Sequence, residues 1–356
     1  MAEAKAVPAL LRTINERAVL DAIRAESPVS RAELARRTGI SKPTVSLALR
    51  ALLEDGLVRE TSLEPDRPHF GAVYYEAEPD AAFVLGVDLG AGGVRAAICD
   101  LAGATRASAE LPSAASAARR LDALAGLRES LLAEAAASPG RLDRAVVGIP
   151  AVVSAEGRVS DSDIPGLEHG DLRAQLEERL GVPVTLENDV NLAALGAARS
   201  GVAAGVDDFA FVLVGEGLGA AVVLGGTLHR GANGAAGELD AVRSGQAEDF
   251  DPSAAAIAAW AAGRSADDVL QETARRIALH VVPLAATLDL PLVVLGGSVG
   301  GRDALLEPVG RHLEEWLAFP PRLAVSSLGD AAVLTGALAA GLDATLEHVF
   351  ERRVRA

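Results

Sequence analysis

The sequence predicts an α/β protein with an N-terminal winged helix-turn-helix followed by a larger two-lobed body. Three observations lead there. Helix-capping serines flank a glycine turn between residues 30 and 41, two β-prone runs follow within the first 80 residues, and beyond them apolar strands end repeatedly in glycine clusters that open into helices. The chain has 356 residues, half of them apolar, enough for two or three compact units with sizeable cores.

The first predicted helix covers Asn15 to Arg24, where Val19, Leu20 and Ile23 have the spacing of one buried face, and Pro28 marks its end. Ser30-Arg-Ala-Glu33 fits a capping box: the serine oxygen accepts a backbone N–H and Glu33 reaches back to satisfy another. The helix that starts at Arg31 is short, running to about Arg37, and Thr38-Gly39 turns the chain. Ser41 caps a third helix that tolerates Pro43 in its first turn. Two short helices across such a turn describe a helix-turn-helix. In the third helix Val45, Ala48, Leu49, Leu52 and Leu53 form an apolar face, leaving Lys42, Thr44, Ser46 and Arg50 free to approach base edges and phosphates. With Arg31 and Ser41 these four are the expected contacts to double-stranded DNA; the competing reading is a structural bundle with a solvated face. The runs 57–61 and 70–75, separated by Glu64-Pro-Asp-Arg-Pro68, predict a hairpin wing. Arg67 at its tip is either a minor-groove contact or part of a solvated turn.

Charge is distributed unevenly. Net charge is −16, but residues 1–60 hold ten cations against eight acids, a net of +2, so the remainder carries −18. Both lysines, Lys5 and Lys42, lie in the first segment. A cationic head on an acidic body is the expected arrangement. The single cysteine, Cys99, excludes an internal disulfide framework and a multi-cysteine zinc cluster, and its apolar strand predicts plain burial. No stretch of 18 apolar residues and no leader-like start is present, so the expectation is a cytoplasmic protein without a membrane partner.

Five motifs follow in the body. Val84-Leu-Gly-Val-Asp-Leu-Gly90 and Gly93-Val-Arg-Ala-Ala-Ile-Cys-Asp100 read as two strands around a glycine-rich turn, either a structural hairpin or an anion cradle. Val182 to Asn191 ends a strand in Asn188 and Asp189 and enters a helix; a carboxylate there suits base catalysis, hydroxyl recognition or a helix cap. Gly215-Glu-Gly-Leu-Gly219, Gly231-Ala-Asn-Gly-Ala-Ala-Gly-Glu238 and Leu292-Val-Val-Leu-Gly-Gly-Ser-Val-Gly300 complete the set, and Gly329 begins a closing helix.

Together with Ser30-Arg-Ala-Glu-Leu-Ala-Arg and Gly39-Ile-Ser-Lys-Pro-Thr-Val-Ser46, these motifs resemble the ROK family of repressors, open reading frames and sugar kinases, over nearly the whole chain. The resemblance implies an actin-like (ribonuclease H-like, sugar-kinase-type) body, divided here as 1–80 for the DNA-binding head, 81–200 for the first lobe and 201–356 for the second lobe with its closing helix. In the family's kinases the aspartate matching Asp189 deprotonates the sugar hydroxyl, the preceding asparagine binds sugar hydroxyls, and the glutamate matching Glu238 accepts from them. Asn188, Asp189, Glu238 and Gly166 are the resulting candidate ligand contacts, with Asp189 a vestigial catalytic candidate.

The departures matter as much. Gly92 and Gly93 stand where the kinases carry threonine and lysine, and no lysine follows Lys42. Glu216 replaces a threonine in the second phosphate loop. At about 4 Å from a phosphate oxygen and an effective dielectric near 20 the like charges repel by roughly 4 kcal/mol, about a thousandfold in affinity, unless a magnesium ion intervenes. The family's zinc-binding Gly-His and three cysteines are absent after Glu238, where Leu239 and Asp240 follow, and His229 is read as solvated. No cofactor or metal is expected. The implied function is a non-enzymatic, sugar-responsive transcription regulator, a repressor, acting as a homodimer or homotetramer on a palindromic operator with a small carbohydrate effector between the lobes. The alternatives are an active ATP-dependent sugar kinase with an attached DNA-binding domain, and a constitutive architectural DNA binder.

Overall fold

The computed structural model describes residues 3–62, 73–90, 92–112, 116–239 and 250–355. In the head, α1 (Glu3–Ala25) begins twelve residues before the expected Asn15, carried upstream by alanine- and leucine-rich turns of high helix propensity. Val19, Leu20 and Ile23 are its fully buried face. A short strand, β1 (Val29–Ser30), precedes α2 (Arg31–Thr38), which Ser30 caps by accepting from the Glu33 N–H at 3.3 Å. The reciprocal half of the expected capping box is replaced: the Glu33 carboxylate turns to Arg36 and to Arg37 at 2.6 Å, because two guanidinium groups on its own helix offer charge-assisted bonds. α3 (Lys42–Glu54) is capped by Ser41 and buries Val45, Ala48, Leu49 and Leu52, with Leu53 half-buried beside them.

The wing pairs β2 (Val58–Thr61) with β3 (Tyr74–Ala77), Val58 opposite Ala77 and Thr61 opposite Tyr74, and β1 adds to the other side of β3. The second strand lies later than the expected 70–75, because the alternation that points Tyr75 and Ala77 into the core runs through Tyr74–Ala77. Arg67 and the hairpin tip lie outside the described residues.

The first sheet of the body contains β4 (Phe83–Gly90), β5 (Gly93–Asp100) and β6 (Thr105–Pro112), then, after α4 (Ala117–Glu134), β7 (Leu142–Ile149). A two-stranded ribbon of β8 (Ala151–Val153) and β9 (Val159–Ser162) leads through α5 (Leu172–Leu180) to the last strand of the sheet, β10 (Val184–Asn188), which runs directly into α6 (Asp189–Ser200). The second sheet has β11 (Phe209–Val214), β12 (Leu218–Leu224) and β13 (Thr227–His229). After α7 (Ala254–Trp260) and α8 (Ala266–Leu288) come β14 (Leu292–Gly296), α9 (Gly297–Gly300), α10 (Leu306–Trp316) and β15 (Arg322–Val325). The orders β6-β5-β4-β7-β10 and β13-β12-β11-β14-β15 are the same topology twice: two antiparallel pairings on one side of the first strand and two parallel pairings on the other. Cys99, 1% exposed on β5, has its thiol pushed up to about 12 by burial, first of all, and by the neighbouring Asp100.

The two helices between the sheets are exchanged relative to the 81–200 and 201–356 division. α6, next in sequence to the first sheet, packs Val190, Ala193, Ala194 and Ala197 on Phe209 and Phe211 of the second. The closing helix α11 (Ala332–Arg355) packs on β4 and β7 of the first sheet, and α6 and α11 are in contact with each other. Their crossing is set by glycine. A Cβ on Gly336 would lie 1.8 Å from the Leu192 carbonyl oxygen and one on Gly196 2.4 Å from that of Ala332, so the backbones approach as no larger residue allows. Beyond the crossing, Leu342, Leu346 and Phe350 of α11 join Leu20, Ile23, Leu49 and Leu52 of the head in one continuous core. The Arg24 Nε donates to the Leu101 carbonyl at 2.9 Å, and His348 and Thr345 bond Asp143 at 3.1 and 3.0 Å. The head is therefore seated on the first lobe through α11.

Candidate functional site

Two surfaces collect the residues singled out by the sequence. On the head, Arg31, Ser41, Lys42 and Arg50 are exposed, and Thr44 and Ser46 half-buried. The Ser41 and Thr44 hydroxyls lie 2.8 Å apart, and the Ser46 hydroxyl donates to the Lys42 carbonyl at 2.9 Å while accepting from Arg31 Nη1 at 3.2 Å. The arrangement ties α2 to α3, and among the described residues Arg31, Lys42 and Arg50 have no acidic side chain in an ion pair. Leu47, between them, is 63% exposed. Sequence reading passed over it, although its position off the 45/48/49/52 stripe was a signal.

The second surface is a cleft between the sheets of about 700 Å³, inside the usual range for small-ligand sites. Strand β10 delivers Asn188 and Asp189 to its floor. Asn188 is the cap of α6: its Oδ1 accepts from the Asn191 N–H at 3.0 Å, and its Nδ2 donates to the Ala151 carbonyl at 3.3 Å and to Glu238 Oε1 at 3.4 Å. Capping thus falls to Asn188, and among the described residues Asp189 accepts from its neighbour, the Val190 N–H, at 2.8 Å. Asp189 lines the cavity together with Glu238 and Glu216. Burial, and then the nearby carboxylates of Asp88, Asp163 and Glu238, push the Asp189 carboxyl up to about 7. Asp163 is also raised, by burial and by Asp161 and Glu216, and Asp88, buried at the end of β4, is raised to about 6 by burial despite Arg95 at 3.5 Å.

Glu187 is a residue the sequence reading left unused. Buried one position before Asn188, it accepts from the Asn188 N–H at 3.0 Å, from Asn191 Nδ2 at 2.9 Å and from Arg230 at 2.7 Å, so it fixes the start of α6 against the loop that carries Glu238. That loop is wedged between lobes. Gly237 has φ 93° and a Cβ there would lie 1.8 Å from the Ala220 carbonyl oxygen. Gly166 is not brought to the cleft: it turns at φ 97°, its N–H donating to Glu168 Oε2 at 3.1 Å and its α-carbon side facing Ala117, because the chain there folds over α4. The cleft itself is acidic. Asp161, Asp163, Asp189, Glu216, Glu238 and Asp251 line it, and no lysine, arginine or histidine is among its described lining residues. Among the described residues no group of three or more His, Cys, Asp or Glu side chains is placed to hold a metal ion, and no helix is long and apolar enough to cross a membrane.

A profile of the ROK family matches residues 84–245 and 240–343, and one of winged helix-turn-helix DNA-binding domains matches residues 12–59. The xylose repressor of Bacillus subtilis (strain 168) is 25% identical over 231 residues, 64% of this chain and 60% of that protein. The chain thus spans about three fifths of the length of the xylose repressors it matches. The N-acetylmannosamine kinase of Shigella flexneri is 29% identical over 289 residues, 72% of this chain and 98% of the kinase. Among solved structures, a ROK family transcriptional regulator described as a homolog of the E. coli MLC protein superposes with a TM-score of 0.76 over 97% of this chain and 99% of its own, at 20% identity. The ROK hexokinase from Thermus thermophilus superposes with a TM-score of 0.58 over 74% of this chain and 99% of its own, at 29% identity.

Proposed function

Because the chain belongs to the ROK family and carries a winged helix-turn-helix ahead of that body, we propose that it is a DNA-binding transcription repressor governed by a carbohydrate held in the interlobe cleft. One observation carries the reading. The helix that starts with Asp189 on the cleft floor, α6, crosses α11 backbone to backbone, and α11 shares its far end with the core of the head. A ligand bonded by Asn188, Asp189 and Glu238 acts on the start of α6, and any rotation of α6 passes through the glycine crossing to the seat of the head. To turn occupancy from 99:1 to 1:99 the ligand must favour one arrangement by about 5.5 kcal/mol, within reach of several hydroxyl–carboxylate bonds of about 1.5–3 kcal/mol each. Lys42, Thr44, Ser46 and Arg50 face the DNA, with Arg31 and Ser41 at their edge. The operator is an inverted repeat read by a homo-oligomer, each copy presenting one α3 to a half-site. The experiment is titration of operator affinity with neutral pentoses and hexoses, xylose included, and with their phosphates. One neutral sugar changes affinity by tenfold or more; a flat response to the whole panel defeats the carbohydrate reading, and a footprint over one unrepeated half-site defeats the symmetric one.

The chain acts without catalysing phosphoryl transfer: Gly92, Gly93 and Glu216 supply no cation to ATP phosphates, and the cleft repels them. One feature favours the kinase reading, a carboxyl at a strand end held near 7, which suits a general base. Sugar-dependent ATP consumption abolished by Asp189→Asn establishes that second reading; its absence leaves Asp189 as a hydroxyl ligand.

A further inference from the structure

We propose that Leu47 reads thymine methyl groups in the major groove, setting part of the operator sequence; this rests on the DNA-binding reading above. With about 100° between successive residues of a helix, Leu47 points almost directly away from the buried stripe of Val45, Ala48, Leu49 and Leu52. Among the described residues of the head it is the most exposed large apolar side chain, at 63%. A single exposed leucine is ordinary on a protein surface, and its neighbours are what give this one meaning. Exposed Arg50 of the same helix and exposed Arg12 of α1 line the groove that holds Leu47, together with Glu54, while Lys42 and Arg31, the latter held beside Ser46 at 3.2 Å, stand further round α3. Pro43, also exposed, continues the apolar strip one turn toward the helix start.

Cations beside an apolar side chain suit the two kinds of edge the groove presents. Lysine and arginine reach phosphates, while the thymine C5-methyl is the one apolar group that B-DNA displays in the major groove. The other occupant to consider is a second copy of the chain, because Leu11 of α1 lines the same shallow groove as Leu47. The position of Leu47 on the second helix of the helix-turn-helix, with Arg50 beside it and Lys42 and Arg31 further round the same face, favours the polyanion over an identical head.

The test uses the full chain and duplexes enriched by it from a randomised pool, with each thymine replaced in turn by deoxyuridine, which removes only the methyl group. For the unaltered protein, one or more replacements weaken binding about fourfold, the ratio that burial of one methyl group gives. For Leu47→Ala the same replacements have no effect, while the duplex is still bound and the melting temperature is unchanged. Equal uracil sensitivity in both proteins, or no sensitive thymine in the unaltered one, overturns the proposal. So does a Leu47→Ala protein whose sedimentation shows a lost contact between copies. Failure to enrich any duplex defeats the DNA-binding reading itself, and with it this one.

Discussion

Asp189 meets two conditions in one side chain: it lines the cleft, and it sits in a chain segment packed against a neighbouring lobe. The consequence is a carboxyl raised from its ordinary 3.8 to about 7 by burial and by Asp88, Asp163 and Glu238. A carboxyl whose folded value is raised keeps its proton on folding, so its contribution to stability is complete below about pH 4 and is lost as pH rises through 7. Asp189→Asn removes that loss while retaining an acceptor for the Val190 N–H. Its melting temperature relative to the unaltered protein is expected to rise by about 2 °C or more between pH 4.5 and pH 8; equal differences at both values, measured by scanning calorimetry, contradict it. At this scale much was legible. Asn188 and Asp189 stood out at a strand end and Glu238 through the family resemblance, and the structure brings these three to one cleft while Gly166, named with them, lies elsewhere. Glu187 and Leu47 were missed for opposite reasons, one a buried acid whose partner Arg230 is 43 positions away, the other an apolar residue whose interest lies in being exposed.

Between elements, the decisive contact is the crossing of α6 with α11. Gly336→Ala places a methyl group against the Leu192 carbonyl, so the helices must part, at a cost of about 1–3 kcal/mol, partly offset by about 1 kcal/mol of helix propensity. Gly126→Ala is the control: on α4, exposed, with nothing within 4 Å of the added Cβ, it is expected to stabilise by about 0.5–1 kcal/mol. Denaturant unfolding of both variants checks the opposite signs, and Gly336→Ala should also blunt the response of DNA affinity to the effector. Caps and hairpins such as Ser30, Ser41 and β4–β5 were readable because their chemistry is local, spanning a few residues. Which sheet α6 and α11 cover was not, since both helices are rich in alanine and the choice is made by surfaces outside them: Val84 meets Gly341 across 257 positions, and Phe211, in the following sheet, meets the face of α6.

Over the whole molecule, the head and the first lobe share one apolar core, and they should lose structure together. Leu346 is 1% exposed at the centre of it, and Leu346→Ala is expected to cost about 2–5 kcal/mol. Hydrogen exchange reads the outcome: amides of α1 and of β4 accelerate in step in the variant, whereas acceleration confined to α1 shows a head that opens independently. In the proposed reading, the acidic body and the cationic start of α3 keep a neutral and a polyanionic ligand at opposite ends of one packed path.

That shared core has a consequence for recombination. A reading head held by a flexible tether could be exchanged between relatives as a cassette, but here the pocket that receives it is completed by Leu342, Leu346 and Phe350, which are encoded more than 250 residues downstream. A chimera that exchanges only the first 80 residues inherits a mismatched seat; one that carries the last turns of α11 along with them transplants the head together with its own socket.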